Sequence, residues 1–415
     1  MNDTVQRHDS RMRGFAQRAR VEDALAWLDH TFSPGSTEWI ALTEAYGRVL
    51  AQAIAAASDL PISDHATMDG YALRGIETVG ASPYNPICFL LCGEAQPGIS
   101  SIDHISPGQT VRISTGAALP AGADAVLAAE YALANDQHIE VTDAIPPGEN
   151  IRRRGTDYRQ GAEVFKAGRR LRSSDVGLLA TLGNTQVQVI RQPRVRLIMT
   201  GSELTQWNEQ QPAQRCESHS LMLSGLLQRD GAVLESLVKV PDDPAAIQEA
   251  LRKSGADLIL VIGGSSVGQE DVVPLVLAEL GEVIFHGLAL RPARSAGMGL
   301  IDTTGVLMLP GNPAACLCAY DLFARRAIQL LGGRSSNWPY LQRTVSVAKK
   351  IVSAVGQVDY YRVRLTDAGV EPLTAGGASL WSSITRADGF IVIAEDSEGY
   401  PPGASVTVYC YDLIV

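Results

Sequence analysis

Three glycine-containing segments carry residue types suited to binding a phosphate group. The richest is GGSSVGQED at residues 263–271, where glycines let a phosphate approach the backbone and Ser265 and Ser266 add hydroxyl donors. A tight turn would also use glycine, but this segment directly follows a short apolar run, which favours a ligand site. The other two segments are TGSE at residues 200–203 and LPGNP at residues 309–313. None has the spacing of a P-loop or of G-x-G-x-x-G, which disfavours nucleotide hydrolysis and nicotinamide binding.

Two acidic residues in these segments could hold a metal ion. Glu203 and Asp271 each lie just past a predicted strand, where carboxylates can bind a Mg²⁺ that bridges phosphate oxygens. Helix capping is the alternative for either residue taken alone. Because two such carboxylates lie on neighbouring loops, we predict a metal site.

Arginines could bind an anion in two places. Arg291 and Arg294, in LALRPARS, follow another predicted strand and could grip an oxyanion with forked donors, or could be ordinary solvated arginines. Arg152, Arg153 and Arg154 form the densest basic cluster of the chain. For that cluster, anion binding and intramolecular salt bridging both stay open.

The elements that must position these residues alternate between residues 195 and 331. The predicted strands are residues 195–199, 233–240, 257–262, 283–287 and 306–310. Four helices are predicted between these strands. The first ends at Gly231, the second begins after Asp243 as N-cap, and the third spans residues 273–280. The fourth runs from Pro313, after Asn312 as N-cap, to about Leu331. Such alternation predicts a mostly parallel sheet covered by helices on both faces. Ligands of such sheets sit outside the carboxyl ends of the strands, where helix N-termini point.

The segments on either side of this alternating region have different sequence patterns. Helical spacing of apolar residues predicts a helix at about residues 20–32 and a second one at residues 42–53. Short β-type runs between Pro and Gly turns predict a β-rich domain from residue 61 to about 161. Strand patterns return after residue 335 and predict a small β-domain or barrel.

The length and composition of the chain limit the classes of protein to which it can belong. The chain has 415 residues, of which 46% are hydrophobic and 19% charged, and a net charge of -10. It is long enough for several domains, and its acidity disfavours a nucleic-acid binder. No secretory signal or membrane-spanning run is evident. The six cysteines lack metal-type spacing, which is typical of reduced thiols in a cytoplasmic protein.

Seven segments, in this order, resemble the molybdopterin molybdenumtransferase family, which comprises bacterial MoeA and the gephyrin E domain. They span almost the whole chain, so a chance recurrence of all of them is implausible. The segments are ATMDGYAL (66–73), VRISTGAALPAGADAV (111–126), NIRRRGTD (150–157), TGSEL (200–204), GGSSVGQED (263–271), LPGNP (309–313) and DGFIVI (388–393).

The resemblance implies an N-terminal helix (1–36) on a central molybdopterin-binding α/β domain (191–334), an elongated linker domain (37–60 and 161–190), an inserted β-rich domain (61–160) and a C-terminal β-barrel (335–415). It also implies a homodimer with its active site between protomers. The implied reaction is insertion of molybdate into adenylylated molybdopterin, with AMP release helped by Mg²⁺. A molybdoenzyme or a cofactor-synthesis protein could be a further partner.

The resemblance also implies the site residues. Catalytic positions carried over from the family motifs are Asp69, Thr115, Asp157, Glu203 and Asp271. Glu203 and Asp271 are the implied metal ligands. Substrate-binding positions are Gly263, Gly264, Ser265, Ser266, Gly268, Arg291, Arg294, Pro310, Gly311, Asn312, Pro313 and Ser379.

The departures from the family pattern concentrate at the expected molybdate site. Where the family reads K-P-G-K-P this chain has RPARS at residues 291–295. Where the family reads P-G-N-P-V-S this chain has PGNPAA at residues 310–315, so that Ala315 replaces the serine. The usual S-N-S is Ser218, His219, Ser220. Arginine forks differently from lysine, so we expect normal pterin binding and slow transfer. The alternative is a non-catalytic relative that binds molybdopterin as a carrier or scaffold.

Overall fold

The computed structural model describes residues 18–100, 103–205, 215–264, 272–373 and 379–411. These residues form two compact units. One unit comprises residues 40–46 and 50–187, and the other comprises the described residues up to 39, residues 47–49 and the described residues from 188 onward. Within the described ranges, no helix has both the length and the apolar character needed to cross a membrane.

The first half of the chain is mostly short strands. Its elements are α1 (Val21–Thr31), β1 (Thr37–Ala41), β2 (Ile54–Ala55), β3 (His65–Ala66), β4 (Gly70–Leu73), β5 (Ile87–Gln96), β6 (Ile99–Ser100), β7 (Gln109–Ile113), β8 (Ala125–Ala128), β9 (Ala132–Asn135), β10 (His138–Val141), β11 (Ile151–Arg152), β12 (Glu163–Phe165), α2 (Ser173–Thr181) and β13 (Gln186–Ile190), with 3₁₀ turns at Leu42–Glu44, Gly75–Thr78 and Ala129–Tyr131.

A mixed sheet in the order β8-β4-β7-β5-β10-β9 forms the centre of this β-rich unit. Strands β4 and β7 are antiparallel, with Gly70 opposite Ile113, so the start of β4 lies beside the end of β7. Gly70 is required there, because a Cβ at this position would lie 1.9 Å from the carbonyl oxygen of Leu127. The register therefore brings Asp69, just before β4, close to Thr115, just after β7.

The helix predicted at residues 42–53 is wrong. The structure has only the 3₁₀ turn Leu42–Glu44, and a turn follows at Tyr46 and Gly47, where Gly47 has a φ of 75°. The prediction rested on the apolar residues Ala45, Val49 and Leu50. They are buried, but they lie in a segment that is not helical. Their spacing reflects burial by neighbouring segments and not a helical face.

The α/β region follows the predicted alternation. Its elements are β14 (Arg194–Thr200), β15 (Leu204–Thr205), β16 (Arg215–Cys216), α3 (His219–Asp230), β17 (Val233–Val240), α4 (Pro244–Arg252), β18 (Leu258–Ile262), α5 (Val273–Leu280), β19 (Glu282–His286), β20 (Leu290–Arg291), β21 (Gly297–Ile301), β22 (Thr304–Leu309), α6 (Pro313–Ala319), a π turn (Tyr320–Ala324) and α7 (Arg325–Leu331).

The central sheet has the order β17-β14-β18-β22-β21-β19. Strands β17, β14, β18 and β22 are parallel, and the hairpin-like pair β21 and β19 is antiparallel. The predicted, mostly parallel sheet is therefore confirmed. Alternate residues of β14 and β18 enter different cores, one shared with α1, α3 and α6, the other with α4 and α5. Both faces are buried, as the continuous apolar runs indicated.

Two predicted helix starts behave differently. At Asp243 the carboxylate accepts a hydrogen bond from the Ala246 N–H at 2.9 Å, so it caps α4 as predicted. Asn312 occupies the N-cap position of α6, but its side chain makes no capping hydrogen bond. The long helix predicted from Pro313 to about Leu331 is present as continuous helical backbone, with a π turn at Tyr320–Ala324 where Asp321 is fully buried and takes tertiary partners.

The two N-caps give a matched pair of variants. We expect Asp243→Ala to lower the free energy of unfolding by about 1 kcal/mol, because it removes a side-chain cap. Asn312→Ala removes no such hydrogen bond and should cost clearly less. Urea denaturation of both variants measures the difference, and equal losses would contradict the assignment of the cap to Asp243.

The C-terminal region is a curled sheet. Its elements are β23 (Leu341–Ser346), β24 (Ile351–Val352), β25 (Val358–Thr366), β26 (Gly369–Pro372), α8 (Ser382–Thr385), β27 (Gly389–Ile393), β28 (Gly399–Tyr400) and β29 (Ser405–Cys410). The order is β20-β25-β27-β29-β23, with β26 on β25. A bridge between Val347 and Val370 joins β26 to the end of β23, so the strands close on themselves. This agrees with the predicted barrel.

Candidate functional site

The predicted ligand loops meet at the carboxyl edge of the parallel sheet. Strands β14, β18 and β22 are neighbours and end at Thr200, Ile262 and Leu309. The Gly263 N–H donates to the carbonyl of Leu309 at 3.2 Å, and a Cβ on Gly311 would lie 3.7 Å from the Gly263 Cα. The sequence prediction that these loops lie together is therefore correct for their described parts.

Gly263 and Gly264 both need glycine for two reasons. Their φ angles are 92° and 59°, which other residues rarely adopt. A Cβ on either residue would also lie 2.8 Å from the Thr200 hydroxyl oxygen. The Gly263 N–H is paired with the Leu309 carbonyl, whereas the Gly264 N–H has no backbone hydrogen bond among the described residues, which suits an anion at the strand end. Ser265, Ser266, Gly268 and Asp271 lie outside the described residues.

The third loop starts helix α6. Pro310 and Pro313 are buried, whereas Gly311 and Asn312 are exposed at the sheet edge. The Asn312 carbonyl accepts the Cys316 N–H at 2.8 Å, so this carbonyl is used by the helix and the first-turn N–H groups are not. With the π turn and α7, helical backbone continues from Pro313 to Leu331, which aligns many peptide dipoles toward this loop.

Glu203 is exposed in the loop after β14. In the same loop, the Ser202 N–H donates to the Asp242 carboxylate at 3.3 Å, so a second acidic residue, which follows β17, reaches this loop. Carboxylate oxygens are the donors that Mg²⁺ prefers, and Mg²⁺ keeps several waters, so one or two carboxylates are enough. No group of three potential metal ligands occurs among the described residues. The donor chemistry fits Mg²⁺, with Glu203 as the described ligand candidate.

Arg291 and Arg294 have different surroundings. Arg291, in β20, pairs with the carboxylate of Asp359, which is 1% exposed. Arg294 is exposed and makes no ion pair with any described residue. Ala315 is 1% exposed and belongs to the apolar core beside α6. Of the two predicted anion-binding arginines, only Arg294 therefore lacks an ion-pair partner within the described part of the chain.

Sequence reasoning missed Arg362, on β25. Its Nε is buried and has no hydrogen-bond partner among the described residues. Burial raises the pKa of the Cys318 thiol, and the Arg362 charge and a hydrogen bond from the N–H of Ala293 to this thiol oppose that rise. Arg362 thus lies near the loop that carries Arg291 and Arg294. The signal in the sequence was an arginine on the same strand face as the buried Tyr360.

Ser379 is exposed and lies shortly before Trp381, whose ring contacts that of His219. The Trp381 ring lies 5.7 Å from the ring of His219, the residue that begins α3. The His219 Nε2 is buried and has no hydrogen-bond partner among the residues the structure describes. Burial lowers the pKa of this imidazole, and the neighbouring Glu217 carboxylate opposes that effect. Neither His219 nor Trp381 was predicted as a site residue.

The remaining predicted residues lie in the β-rich unit. Asp69 accepts hydrogen bonds from the Thr115 N–H at 2.7 Å and from its hydroxyl at 3.0 Å. These donors lower the pKa of the exposed Asp69 carboxyl. Asp157 instead pairs with Arg152, whose hydrogen bond lowers the pKa of Asp157. The structure brings Asp69 and Thr115 together and gives Asp157 a separate partner.

The basic cluster at residues 152–154 is used for intramolecular salt bridging. Its arginines each pair with an aspartate, in the pairs Arg152–Asp157, Arg153–Asp64 and Arg154–Asp59. The second of these has an N···O distance of 2.7 Å. Of the two alternatives left open by the sequence, salt bridging is therefore the one the structure has.

Comparisons with known proteins match most of the chain. Family models match at residues 19–183 (MoeA N-terminal region, domain I and II), 196–330 (probable molybdopterin binding domain) and 344–411 (MoeA C-terminal region, domain IV). A putative molybdopterin biosynthesis protein of Methanocaldococcus jannaschii is 33% identical over 382 residues, 89% of this chain and 90% of that one. The chain belongs to the MoeA family.

Other MoeA relatives agree. A molybdopterin molybdenumtransferase of Bacillus subtilis is 30% identical over 411 residues, 94% of this chain and 93% of its own length. The crystal structure of a MoeA molybdopterin biosynthesis protein from Pyrococcus horikoshii superimposes with a TM-score of 0.81 at 29% identity, covering 95% of this chain and all of that one. The family resemblance and the fold class inferred from the sequence are both confirmed.

One departure from the MoeA pattern should affect stability. His219 stands where the resemblance implies the middle asparagine of S-N-S, and burial lowers the pKa of its imidazole in the folded state. Such a group stabilises the fold above its unfolded pKa of about 6.5, and that contribution is lost as the pH falls below this value. We expect the wild-type melting temperature to fall between about pH 7.5 and 5 more steeply than that of His219→Asn. His138, exposed on β10, gives the control His138→Asn, which should keep the wild-type slope. Identical slopes for His219→Asn and wild type would contradict the prediction.

Proposed function

We propose that the chain is a molybdopterin molybdenumtransferase, which inserts molybdenum from molybdate into adenylylated molybdopterin and releases AMP. The observation that carries this proposal is the convergence of the Gly263 and Pro310 loops at one sheet edge of a MoeA-family chain. Phosphate groups bind to the uncovered amides of these loops, as at other strand-to-helix turns.

The remaining roles follow from the charges. When bound, Mg²⁺ neutralises phosphate charge, and Glu203 together with Asp271 is the proposed ligand pair. Arg294 and Arg362, neither of which has an ion-pair partner among the described residues, attract the molybdate dianion toward Arg291 and Ser379. Fixed charges that orient substrate and stabilise developing charge supply most of the catalysis in this type of reaction.

We further propose that the active species is a homodimer, to which the β-rich unit contributes Asp69, Thr115 and Asp157. The Asp69 carboxylate, held by two Thr115 donors, keeps its charge at neutral pH and can orient a substrate donor. Sedimentation should give twice the chain mass of 44.3 kDa. A monomer at all micromolar concentrations would exclude a shared site. The cysteines are free thiols, which suits action in the cytoplasm.

The metal role has a direct test. We expect Glu203→Gln to raise the Mg²⁺ concentration needed for half-maximal AMP release at least about tenfold, because an amide binds a hard cation more weakly than a carboxylate. Glu249, exposed on α4, gives the control Glu249→Gln, which makes the same change on the same domain. An unchanged Mg²⁺ dependence in Glu203→Gln would remove Glu203 from the site.

A further inference from the structure

Asp359 connects the C-terminal sheet to the loop that carries Arg291 and Arg294. Strand β20 is an edge strand of the C-terminal sheet, with Leu290 opposite Val358 and Arg291 opposite Asp359. The Val358 N–H donates to the carbonyl of Ala289 at 2.8 Å, which extends this pairing. The position of Arg291 is therefore set by the C-terminal domain as well as by its own.

The Asp359 carboxylate has a full set of donors. It accepts hydrogen bonds from Arg291, from the Ser353 hydroxyl at 2.7 Å and from the Gln357 amide at 3.2 Å. Because a buried carboxylate is costly without a charged partner, Arg291 cannot leave Asp359 without a large penalty. The Arg291 side chain is still 45% exposed, so its other N–H groups reach solvent.

The pairing also changes the charge of the loop. Arg291 and Asp359 cancel, whereas Arg294 has no ion-pair partner among the described residues. Asp359 thus lowers the positive charge that an incoming oxyanion meets, while it fixes the direction of one arginine fork. A site that must hold an oxyanion briefly and then give it up benefits from both effects.

We propose that Asp359 is the positioning residue of the oxyanion loop: it fixes Arg291 and limits how tightly the site holds any tetrahedral dianion. This inference rests on the proposed function for the identity of the substrate oxyanion. The ligand class is the tetrahedral oxyanions, which includes molybdate as substrate and sulfate as a non-transferable competitor.

The test is the variant Asp359→Asn, with two measurements of opposite sign. Molybdate and sulfate affinity by calorimetry should each rise about fivefold, because one negative charge beside the loop is removed. The kcat for AMP release should fall about tenfold, because Arg291 is no longer held in one direction. General damage to the fold would weaken anion binding and not strengthen it, so the sign separates the two causes.

Three further variants support the comparison. Asp359→Ser carries a smaller neutral side chain and should change affinity in the same direction, so the result does not depend on asparagine fitting a buried position. Asp359→Glu keeps the charge and should keep wild-type affinity within about twofold. Asp388, an exposed aspartate of the C-terminal domain that accepts the Leu365 N–H at 2.7 Å, gives the control Asp388→Asn, which removes a negative charge away from Arg291 and should leave anion affinity unchanged.

A double variant tests whether Asp359 acts through Arg291. In the background of Arg291→Gln, which itself lowers kcat, Asp359→Asn should cause no further loss of kcat. Additive losses would overturn the positioning role, and unchanged or weaker sulfate binding by Asp359→Asn would overturn the proposal as a whole. Anion calorimetry needs no turnover, so a wild type that releases no AMP would refute the proposed function and still leave the affinity measurements on Asp359→Asn to decide whether Asp359 limits oxyanion binding.

Discussion

Replacing Arg229 with methionine is expected to lower the free energy of unfolding by about 3–5 kcal/mol, the usual cost of removing one partner from a buried ion pair. The Arg229 guanidinium lies between two buried carboxylates, at 2.8 Å from Asp230 and 3.4 Å from Asp321. These aspartates are 2% and 0% exposed, and without the arginine they would be neighbouring buried anions.

The network around Arg229 joins the α/β region to the C-terminal sheet. Asp321, in the π turn, accepts hydrogen bonds from the hydroxyls of Tyr340 at 2.6 Å and Tyr360 at 2.7 Å. Burial raises the pKa of Asp321, and the Arg229 charge counteracts that rise. Removing the arginine therefore affects every one of these contacts.

A surface ion pair provides the control for Arg229→Met. Arg326 pairs with Asp29 at the surface, where the two side chains are 22% and 38% exposed. Pairs of this kind contribute about 0–1 kcal/mol, so Arg326→Met should have a small effect. Urea denaturation followed by tryptophan fluorescence gives both values. Equal losses in the two variants would show that the Arg229 network does not stabilise the fold.

Replacing Gly263 with alanine should reduce affinity for molybdopterin at least about tenfold and cost about 1–3 kcal/mol of stability. The new Cβ would lie 2.8 Å from the carbonyl and hydroxyl oxygens of Thr200, at a φ of 92°. The loop must therefore move, and the N–H groups proposed to bind phosphate move with it.

Gly356 gives a control variant that has the backbone strain of a positive φ but lies outside the proposed ligand loops. It has a φ of 88°, and nothing lies within 4 Å of its would-be Cβ. Gly356→Ala therefore carries a similar backbone strain without the clash, and it lies far along the chain from the proposed ligand loops. We expect it to lose some stability and to bind molybdopterin normally. Calorimetry with molybdopterin on both variants decides, and normal binding by Gly263→Ala would exclude this loop from the site.

Local signals predicted much of the α/β region. Asp243 followed by Pro244 defined the start of α4, and Gly231, with a φ of 83°, ended α3 as predicted. Continuous apolar runs identified the parallel strands because both sheet faces are buried. The alignment of the ligand loops followed from this topology, since parallel strands end at the same edge.

Contacts between distant residues were beyond such signals. The pairing of Arg291 with Asp359 joins residues 68 apart, and nothing near either residue indicates the partner. Arg196, inside a predicted apolar strand, is fully buried because it donates to carbonyls after α4, such as Ser254 at 2.8 Å. The π turn likewise depends on the tertiary partners of Asp321. Tertiary hydrogen bonds, and not local propensity, decided these features.

The most direct measurement is transfer by the wild-type protein. Incubated with adenylylated molybdopterin, Mg²⁺ and molybdate, it should release AMP and form active molybdenum cofactor in equal amounts. Omitting molybdate should prevent cofactor formation. Tight molybdopterin binding with neither AMP release nor cofactor formation would contradict the account and would instead describe a protein that only carries the pterin.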